Sequence, residues 1–377
     1  MLVHSRSEDF NDLDHVCHTV SMTHDFFMHH CLQLASQGLQ SVGNGAMVGS
    51  VLVRNGHIVA EGYHKKYGEL HAERYLLEKY DPASPSGLRR ASQKIRSEDL
   101  LYVSLEPCCH TGKNSPCMDI ILEKGVKHVV VGMLDPDTRV SGKGIFELRA
   151  AGVHVIGPII PTECAWLNRG FVSVRTKRRP WITLKSARAA DGKIANDDGS
   201  PLSITSDAQN VWTHTHLRAE HDAIVVGVQT VINDDPVLDA RRALTRLRPL
   251  GSAGQAPSPS SLDRGEYHPW RIILDPQLRI PQAAKVLNDA HAQKTIVITT
   301  PENIDRASAL QSNGAMVLGV PKNADGFDWA ELWSVLLSPQ GNDFNGITSI
   351  LVEGGEKTWE MFKKAGMVDV EVCLIGK

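Results

Sequence analysis

The first half of this chain contains one diagnostic pattern: Leu70-His71-Ala72-Glu73, then Leu105-Glu106-Pro107-Cys108, then Cys117. One imidazole and two thiolates make three protein ligands for zinc, and a catalytic zinc site keeps its fourth position open for water. Zinc lowers the pKa of a coordinated water from about 15.7 toward about 7, so hydroxide is available at neutral pH. With Glu73 free to carry protons, His71, Cys108 and Cys117 form the arrangement of zinc-dependent nucleobase deaminases.

The secondary structure predicted around these residues fits that chemistry. Residues 48–64 predict a hairpin turning at Asn55-Gly56, the strongest two-residue turn signal. Residues 70–77 predict a helix that begins near His71, and residues 100–105 predict a strand that ends just before Cys108. Residues 116–122 predict a second helix with proline at a favoured first position. A thiol at a helix start has a lowered pKa, which favours the metal-binding thiolate.

Alternative assignments of these residues have to be weighed. A single histidine or cysteine is usually a buried structural residue, and zinc deaminases commonly carry Cys-x-x-Cys, whereas Cys108 and Cys117 are more widely spaced. Cys109 is a rival ligand, but adjacent residues point in different directions. In a purely structural zinc site, Cys109 or His110 could supply a fourth ligand. Glu73 argues against that alternative, because a structural site has no use for a carboxylate beside an open metal.

Composition limits the classes of function. The 377 residues carry a net charge of −3 and only 6% aromatic residues, so an editing deaminase with a basic, aromatic groove for nucleic acid is disfavoured. We expect a small-molecule substrate instead. No apolar run is long enough for a membrane span, and the first twenty residues lack the pattern of a signal peptide. Seven cysteines, an odd number, do not predict a disulfide framework, and a reducing cytoplasm is the simplest location.

The chain predicts an α/β protein of two domains. Strands and helices alternate up to residue 157, a three-layer pattern. The charged run from Arg175 to Arg179 before Pro180 predicts a linker over 174–180. We therefore expect a flexible tail over 1–22, a zinc domain over 23–173 and a second domain over 181–377. Further strands are predicted within 181–184, 223–227, 271–274, 295–300, 315–320, 350–352 and 368–375, a helix over 206–220, and polar loops over 81–98 and 249–269.

Taken together, the motifs resemble the bifunctional deaminase–reductases of riboflavin biosynthesis over about residues 23–377. Besides the zinc motifs, the matching segments are Gly112-Lys113, Asp135-Pro136, Gly142-Lys143-Gly144, Asp191-Gly192-Lys193-Ile194-Ala195, Leu217-Arg218-Ala219, Asp234-Asp235-Pro236 and Val352-Glu353-Gly354-Gly355. The resemblance implies a cytidine-deaminase-like first domain that deaminates a ribosylamino-pyrimidine phosphate. It also implies a dihydrofolate-reductase-like second domain that reduces the ribose to ribityl with NADPH. We also expect a homo-oligomer.

The same resemblance assigns residues of the second domain. Contacts to NADPH would come from Ala187, Ser203, Thr230, Asp234, Gly354 and Gly355, and contacts to substrate from Lys185, Arg218, Leu238, Arg241 and Glu353. Glycines before a helix let backbone amides approach a phosphate, and an arginine pair suits a phosphate dianion. Alternatively, Gly354-Gly355 is only a tight turn, and Arg218 and Arg241 are solvated surface residues.

Several positions depart from the family pattern. Asn44-Gly45-Ala46 stands where the family usually has Pro-Asn-Pro, so Gly45 lacks an amide that reads the pyrimidine, unless Asn44 takes its place. Pro201 and Ser203 replace a hydroxyl and an aromatic surface, and Ala189 stands where serine is common. The chain ends at Lys377 just after a strand, which predicts an uncovered sheet edge. These departures leave three hypotheses: a bifunctional enzyme, a deaminase with a structural second domain, or a non-enzymatic relative with structural zinc.

Overall fold

The computed structural model describes residues 23–79, 94–110, 114–192, 204–243, 268–324, 326–339 and 344–376. Several predictions therefore lie outside the described residues: the tail over 1–22, most of the two polar loops, Gly112-Lys113, Pro201 and Ser203. No helix in the described ranges is long and apolar enough to cross a membrane.

The first domain is built on a five-stranded sheet in the order β2-β1-β3-β4-β5. The first two strands form the predicted hairpin, in which Asn55 and Gly56 both have positive φ, at +50° and +75°, as a type I′ turn requires. The first strand also pairs with the third in antiparallel register, whereas the third, fourth and fifth strands pair in parallel. The strands are β1 (Gly49–Arg54), β2 (His57–Tyr63), β3 (Leu100–Val103), β4 (His128–Val131) and β5 (His154–Ile156).

Helices cover both faces of this sheet. Every residue of β1 is buried, which is possible only when both faces of a strand are covered. This arrangement agrees with the predicted three-layer architecture. The helices are α1 (His24–Ala35), α2 (Ala72–Lys79), α3 (Cys117–Glu123), α4 (Lys143–Ala150) and α5 (Pro161–Leu167).

The predicted linker over 174–180 differs from what the structure contains. Helix α6 (Arg169–Lys177) occupies its first four residues, so only residues 178–180 join this helix to the strand that begins at Trp181. Arg178 ends the helix in the left-handed conformation with φ +61°. Asp369 then accepts hydrogen bonds from Lys177 at 2.6 Å and from Arg179 at 2.6 Å, which attaches this connection to the second domain. The charged run thus forms the end of a helix and pairs with Asp369. The pattern of charges in the sequence is the same for a helix end of this kind and for a linker.

The second domain contains a seven-stranded sheet in the order β10-β9-β8-β7-β13-β6-β14, and all of its described pairings are parallel. Alternate residues of its strands enter two hydrophobic cores, one on each face: Val225 lies in one, and Ile224 and Val226 lie in the other. The strands are β6 (Trp181–Arg188), β7 (Ala223–Gly227), β8 (Trp270–Leu274), β9 (Thr295–Thr299), β10 (Met316–Gly319), β13 (Ser349–Val352) and β14 (Val370–Ile375), with β11 (Lys322–Asn323) and β12 (Gly326–Phe327) as a separate ribbon.

Six α-helices are described in the second domain. The first of them begins where the sequence predicts a helix, because Ser206 and Gln209 form a reciprocal capping box at its start. The predicted end at Glu220 is too late, since residues 218–220 form a separate 3-10 turn. The helices are α7 (Asp207–His216), α8 (Val228–Asp234), α9 (Lys285–Asn288), α10 (Ser308–Ser312), α11 (Trp329–Leu337) and α12 (Glu356–Lys364).

Strand β14 lies at one edge of this sheet. Within the described chain it pairs only with β6, in parallel register. Three of its six residues are exposed, Glu371, Cys373 and Ile375.

The parallel pairing also fixes where a ligand can bind. The carboxyl ends of β6, β7 and β13 lie at the same end of the sheet, where ligands of open α/β sheets usually bind.

Candidate active sites

Three elements bring the predicted zinc ligands together in the first domain. His71 immediately precedes α2, Cys108 lies in the loop after β3, and Cys117 is the first residue of α3. The Nδ1 atom of His71 lies 3.6 Å from the Sγ of Cys108 and 3.3 Å from the Sγ of Cys117. All three ligand atoms fall within 4.8 Å of one another. One imidazole and two thiols facing a common point fit zinc.

The thiols already differ in their tendency to ionise. Hydrogen bonding from Cys117 lowers the pKa of Cys108 to about 4, and His71 acts in the same direction. The backbone N–H of Cys117, at the start of α3, donates to the Cys108 sulfur at 3.3 Å. The pKa of Cys117 is raised by its hydrogen bond to Cys108 and by burial. One thiolate is therefore stabilised before any cation adds its own charge.

Glu73 lies beside these ligands, in the first turn of α2. Its side chain is almost fully buried, at 3% exposure. Burial raises the pKa of Glu73 to about 7, against the opposing effect of His71. A carboxyl group with a pKa near the working pH can both accept and release a proton efficiently. This environment suits the predicted role of proton carrier.

The rival ligands do not join the cluster. Within the described ranges, the only group of histidine, cysteine and acidic side chains placed to hold a metal is His71, Cys108 and Cys117. Neither Cys109 nor His110 belongs to it, although both are described. The site therefore offers three protein ligands, as expected of a catalytic rather than a structural zinc site.

A cavity of about 590 Å³ opens onto this cluster. Its walls include both Glu73 and the zinc ligands His71 and Cys108, together with charged residues that the sequence analysis did not assign: Asp135, Asp137, Arg139 and Arg175. A larger groove of about 1530 Å³ is lined mainly by apolar side chains, including Trp166 and Trp181. It contains none of the predicted site residues, so the smaller cavity is the candidate active site.

His64 is a cavity residue that sequence reasoning missed. It is buried, and its Nδ1 lies 3.0 Å from the carbonyl oxygen of Ala46. Its ring centroid is 5.4 Å from that of His71. Burial lowers the pKa of His64, which disfavours the protonated ring. Its position at the end of the predicted hairpin, seven residues before His71, was the available signal.

The glutamate of the Glu106-Pro107-Cys108 segment has a structural role. Its carboxylate accepts hydrogen bonds from the backbone N–H groups of Asp135 at 3.1 Å and Gly142 at 2.9 Å. Gly144 approaches so closely that a Cβ there would lie 2.2 Å from the Pro107 carbonyl oxygen. The Gly142-Lys143-Gly144 segment and the Glu106-Pro107-Cys108 segment therefore hold each other's loops in place.

In the second domain, two of the predicted substrate contacts are paired with each other. Arg218 donates to Glu353 through Nε at 2.8 Å and Nη2 at 2.6 Å, and donates to the Asp239 carbonyl oxygen at 2.9 Å. Arg241 pairs with the Asp239 carboxylate. The predicted residues Lys185, Arg218, Arg241 and Glu353 therefore share one neighbourhood, and burial lowers the pKa of Lys185 there. Leu238 differs: its side chain is 3% exposed and lies in the hydrophobic core.

Among the predicted cofactor residues, Thr230 lies against the two glycines that precede α12. Gly355 has φ +67°, and a Cβ on Gly354 would lie 2.7 Å from the Cβ of Val226 and 3.1 Å from the Oγ1 of Thr230. Only glycine fits at Gly354. Asp234 is one helical turn beyond Thr230 on α8, and burial raises its pKa. Ala187 lies near the carboxyl end of β6, two residues after Lys185.

Comparisons with known proteins identify the family. The model of the cytidine and deoxycytidylate deaminase zinc-binding region matches residues 21–133, and that of the RibD C-terminal domain matches residues 180–376. The riboflavin biosynthesis protein RibD of Aquifex aeolicus is 38% identical over 349 residues, covering 93% of this chain and 85% of that protein. The chain belongs to the RibD family.

Solved RibD structures resemble the whole chain. Acinetobacter baumannii RibD matches with a TM-score of 0.71 and 28% identity, covering 93% of this chain and 86% of its own. A Thermotoga maritima protein described as a diaminohydroxyphosphoribosylaminopyrimidine deaminase and 5-amino-6-(5-phosphoribosylamino)uracil reductase matches with a TM-score of 0.70 and 31% identity, over the same shares of the two chains.

The RibD relationship confirms the main predictions from sequence. The chain combines a zinc-dependent deaminase domain with a reductase domain of the NADPH-using kind, and it acts in riboflavin biosynthesis. The predicted resemblance and the two-domain α/β fold class are confirmed as well. Family membership favours the bifunctional hypothesis over a purely structural second domain.

Proposed function

We propose that this protein deaminates a diaminopyrimidine ribosyl phosphate and then reduces its ribosyl group to ribityl with NADPH. The observation that carries the proposal is the convergence of His71, Cys108, Cys117 and buried Glu73 at one cavity. The substrate class follows from the name of the Thermotoga maritima relative. A nucleic-acid substrate is disfavoured by the net charge of −3.

In the deaminase site, His71, Cys108 and Cys117 would hold zinc. When bound, zinc lowers the pKa of water toward about 7 and so supplies an activated nucleophile. Glu73 accepts a proton on its carboxylate and delivers it to the exocyclic nitrogen, which leaves as ammonia. Its buried position keeps that proton away from bulk water.

The phosphate of the substrate matches two arginines at the mouth of this cavity. The guanidinium of Arg175 lies 5.0 Å from the ring centroid of Phe171 and has no ion-pair partner among the described residues. Arg139 is held by Asp137, through Nε at 2.9 Å and Nη2 at 2.5 Å. A guanidinium can bind a phosphate with two parallel hydrogen bonds. Asp135 and Asp137 interact electrostatically with Arg175, but neither forms a direct ion pair with it, so Arg175 is the stronger candidate.

In the reductase site, substrate contacts come from Lys185, Arg218 and Arg241, with Glu353 orienting Arg218. Thr230, Asp234 and Ala187 flank the cofactor, and the turn at Gly354-Gly355 presents the start of α12 to its phosphates. Hydride chemistry belongs to NADPH, so the protein contributes binding and orientation. Leu238 contributes its backbone position, because its side chain is in the core.

A coupled assay tests both halves. Purified protein is given the diaminopyrimidine ribosyl phosphate with and without NADPH, and ammonia and NADPH oxidation are followed separately. We expect ammonia in both reactions and NADPH oxidation only after deamination. Absence of ammonia would sink the deaminase assignment, whereas ammonia without NADPH oxidation would support the alternative of a structural second domain. When a single-stranded oligonucleotide is supplied as the substrate instead, no ammonia should be released.

We also propose a cytoplasmic location and a homo-oligomer. The cysteines in the described part of the chain, six in number, are all free thiols, which fits a reducing compartment. Light scattering of the purified protein measures the assembly state, and a mass equal to one chain would exclude the oligomer.

A further inference from the structure

One wall of the deaminase cavity is attached to the reductase domain. The wall is the segment Asn44-Gly45-Ala46, all three residues of which line the cavity. The backbone N–H of Asn44 donates to the carbonyl oxygen of Asn345 at 3.0 Å. Its side-chain Nδ2 donates to the carbonyl oxygen of Leu337 at 3.2 Å, across 293 positions of sequence. The amide of Asn44, which the sequence offered as a reader of the pyrimidine, is thus directed to the other domain.

Two glycines permit this close approach. Gly43 has φ +53°, and a Cβ there would lie 2.4 Å from the Asn345 carbonyl oxygen. Gly346, in the reductase domain, has φ +89°, and a Cβ there would lie 2.6 Å from the Leu337 carbonyl oxygen and 3.4 Å from the Cβ of Asn44. Side chains at either position would separate the segment from its partners.

On its other side, the segment contacts the interior of the cavity. The carbonyl oxygen of Ala46 lies 3.0 Å from Nδ1 of His64. A Cβ on Gly45 would lie 3.4 Å from Cε1 of the same ring. The Nε2 atom of His64 is buried and has no hydrogen-bond partner within the described residues. The segment therefore fixes a buried polar side chain that lines the cavity next to His71.

We propose that the reductase domain is a structural part of the deaminase site, with Asn44 as the positioning residue that joins them. This inference rests on the proposed deaminase function. When the segment loses its attachment, only a fraction of molecules holds the binding-competent wall, and the apparent affinity for the pyrimidine falls by that fraction. The proton-transfer machinery at Glu73 is unaffected in the molecules that do bind substrate.

The first test is Asn44→Ala. We expect KM for the pyrimidine substrate to rise by about three- to tenfold, as the loss of roughly one net hydrogen bond implies. The kcat for ammonia release should stay within twofold, and zinc content and NADPH-dependent reduction of the deaminated intermediate should not change. Asn288→Ala is the matched control, since Asn288 donates the same kind of bond, to Gln282 and Ala284, inside the reductase domain.

The second test changes only the reductase domain. In Gly346→Ala, the added methyl group pushes Asn44 and Leu337 apart, so KM of the deaminase should rise at least as much as in Asn44→Ala. Hydrogen exchange of the peptide covering 42–47 should be faster in this variant, a readout that needs no activity. Wild-type protein that releases no ammonia would refute the proposed function. Unchanged exchange and unchanged KM in an active, folded Gly346→Ala protein would refute the attachment.

Discussion

The deaminase and reductase sites handle charge in opposite ways. In the first, an imidazole and two thiols converge within 4.8 Å with no cationic side chain among them, so the site requires an external cation. In the second, Arg218 and Glu353 already neutralise each other at 2.6–2.8 Å. Removing a residue from the first site should therefore stop the chemistry, whereas removing one from the second should also lower the free energy of unfolding.

The largest difference between the two sites should appear in the Glu73→Gln variant. The amide cannot carry the proton, so ammonia release should fall by about 10²- to 10⁴-fold. Zinc content and reduction of the deaminated intermediate should stay at wild-type levels, because neither involves Glu73. Glu78→Gln, in the same helix and paired with Arg74, is the control. Ammonia release at the wild-type rate in Glu73→Gln would contradict its role and erase the contrast between the sites.

Arg218→Met tests the other side of the comparison. It leaves the buried carboxylate of Glu353 without its main partner, which should lower the free energy of unfolding of the second domain by about 3 kcal/mol. This value is at the lower end for broken buried pairs, because Lys185 remains nearby and lowers the pKa of Glu353 as well. Urea unfolding measures the loss.

The double variant Arg218→Met with Glu353→Leu completes this test. It removes both charges, so it should recover much of the stability without recovering reductase activity. Ammonia release should persist throughout. Full stability in the single variant would show that the pair is not needed to compensate a buried charge.

A smaller effect concerns pH. Burial lowers the pKa of His221 to about 3 in the folded protein, whereas in the unfolded chain it is near the ordinary 6.5. The unfolded state therefore binds the proton first as pH falls, and stability is lost below pH 6.5. Between pH 7.5 and pH 5 this residue alone should account for about 2 kcal/mol.

His221→Asn should flatten the pH dependence of unfolding by that amount, although it also removes the bonds of the ring to Leu217 and Thr183. The exposed residue His57, changed in the same way, is the control. If His221→Asn lost stability with falling pH as steeply as the wild-type protein, other titrating groups would be responsible for the pH dependence, and His221 would not.

The smallest effect is expected for Arg175→Met. Losing an exposed guanidinium should raise the deaminase KM of the phosphorylated substrate by about tenfold, equivalent to about 1.4 kcal/mol. The corresponding riboside, which lacks the phosphate, should bind both proteins equally. Arg306→Met, at the surface of the second domain, controls for loss of charge. Equal effects on both substrates would mean that Arg175 supports the wall of the cavity instead of reading the phosphate.

Much of the fold follows from local pattern. The turn at Asn55-Gly56 and the strand before Cys108 were predicted because backbone geometry and hydrophobic periodicity act over a few residues. The helix predicted to begin at Pro116 begins one residue later, at Cys117, with Pro116 as its N-cap. The predicted linker over 174–180 differs from the observed helix end, since a charged run has the same composition in either setting. Leu238 was assigned to substrate by resemblance, while its side chain is in the core.

The chemistry of the first site could be predicted from the residues alone, because zinc-ligating side chains and a proton carrier are recognisable by type and spacing. Which polar groups remain available to a ligand is set by contacts that form in the folded chain. Arg218 and Glu353 are 135 positions apart, and Asn44 and Leu337 are 293 apart. Such partners meet only after strand order and domain packing are set. Whether a charge or amide faces a ligand or another residue therefore depends on long-range contacts that no local pattern encodes.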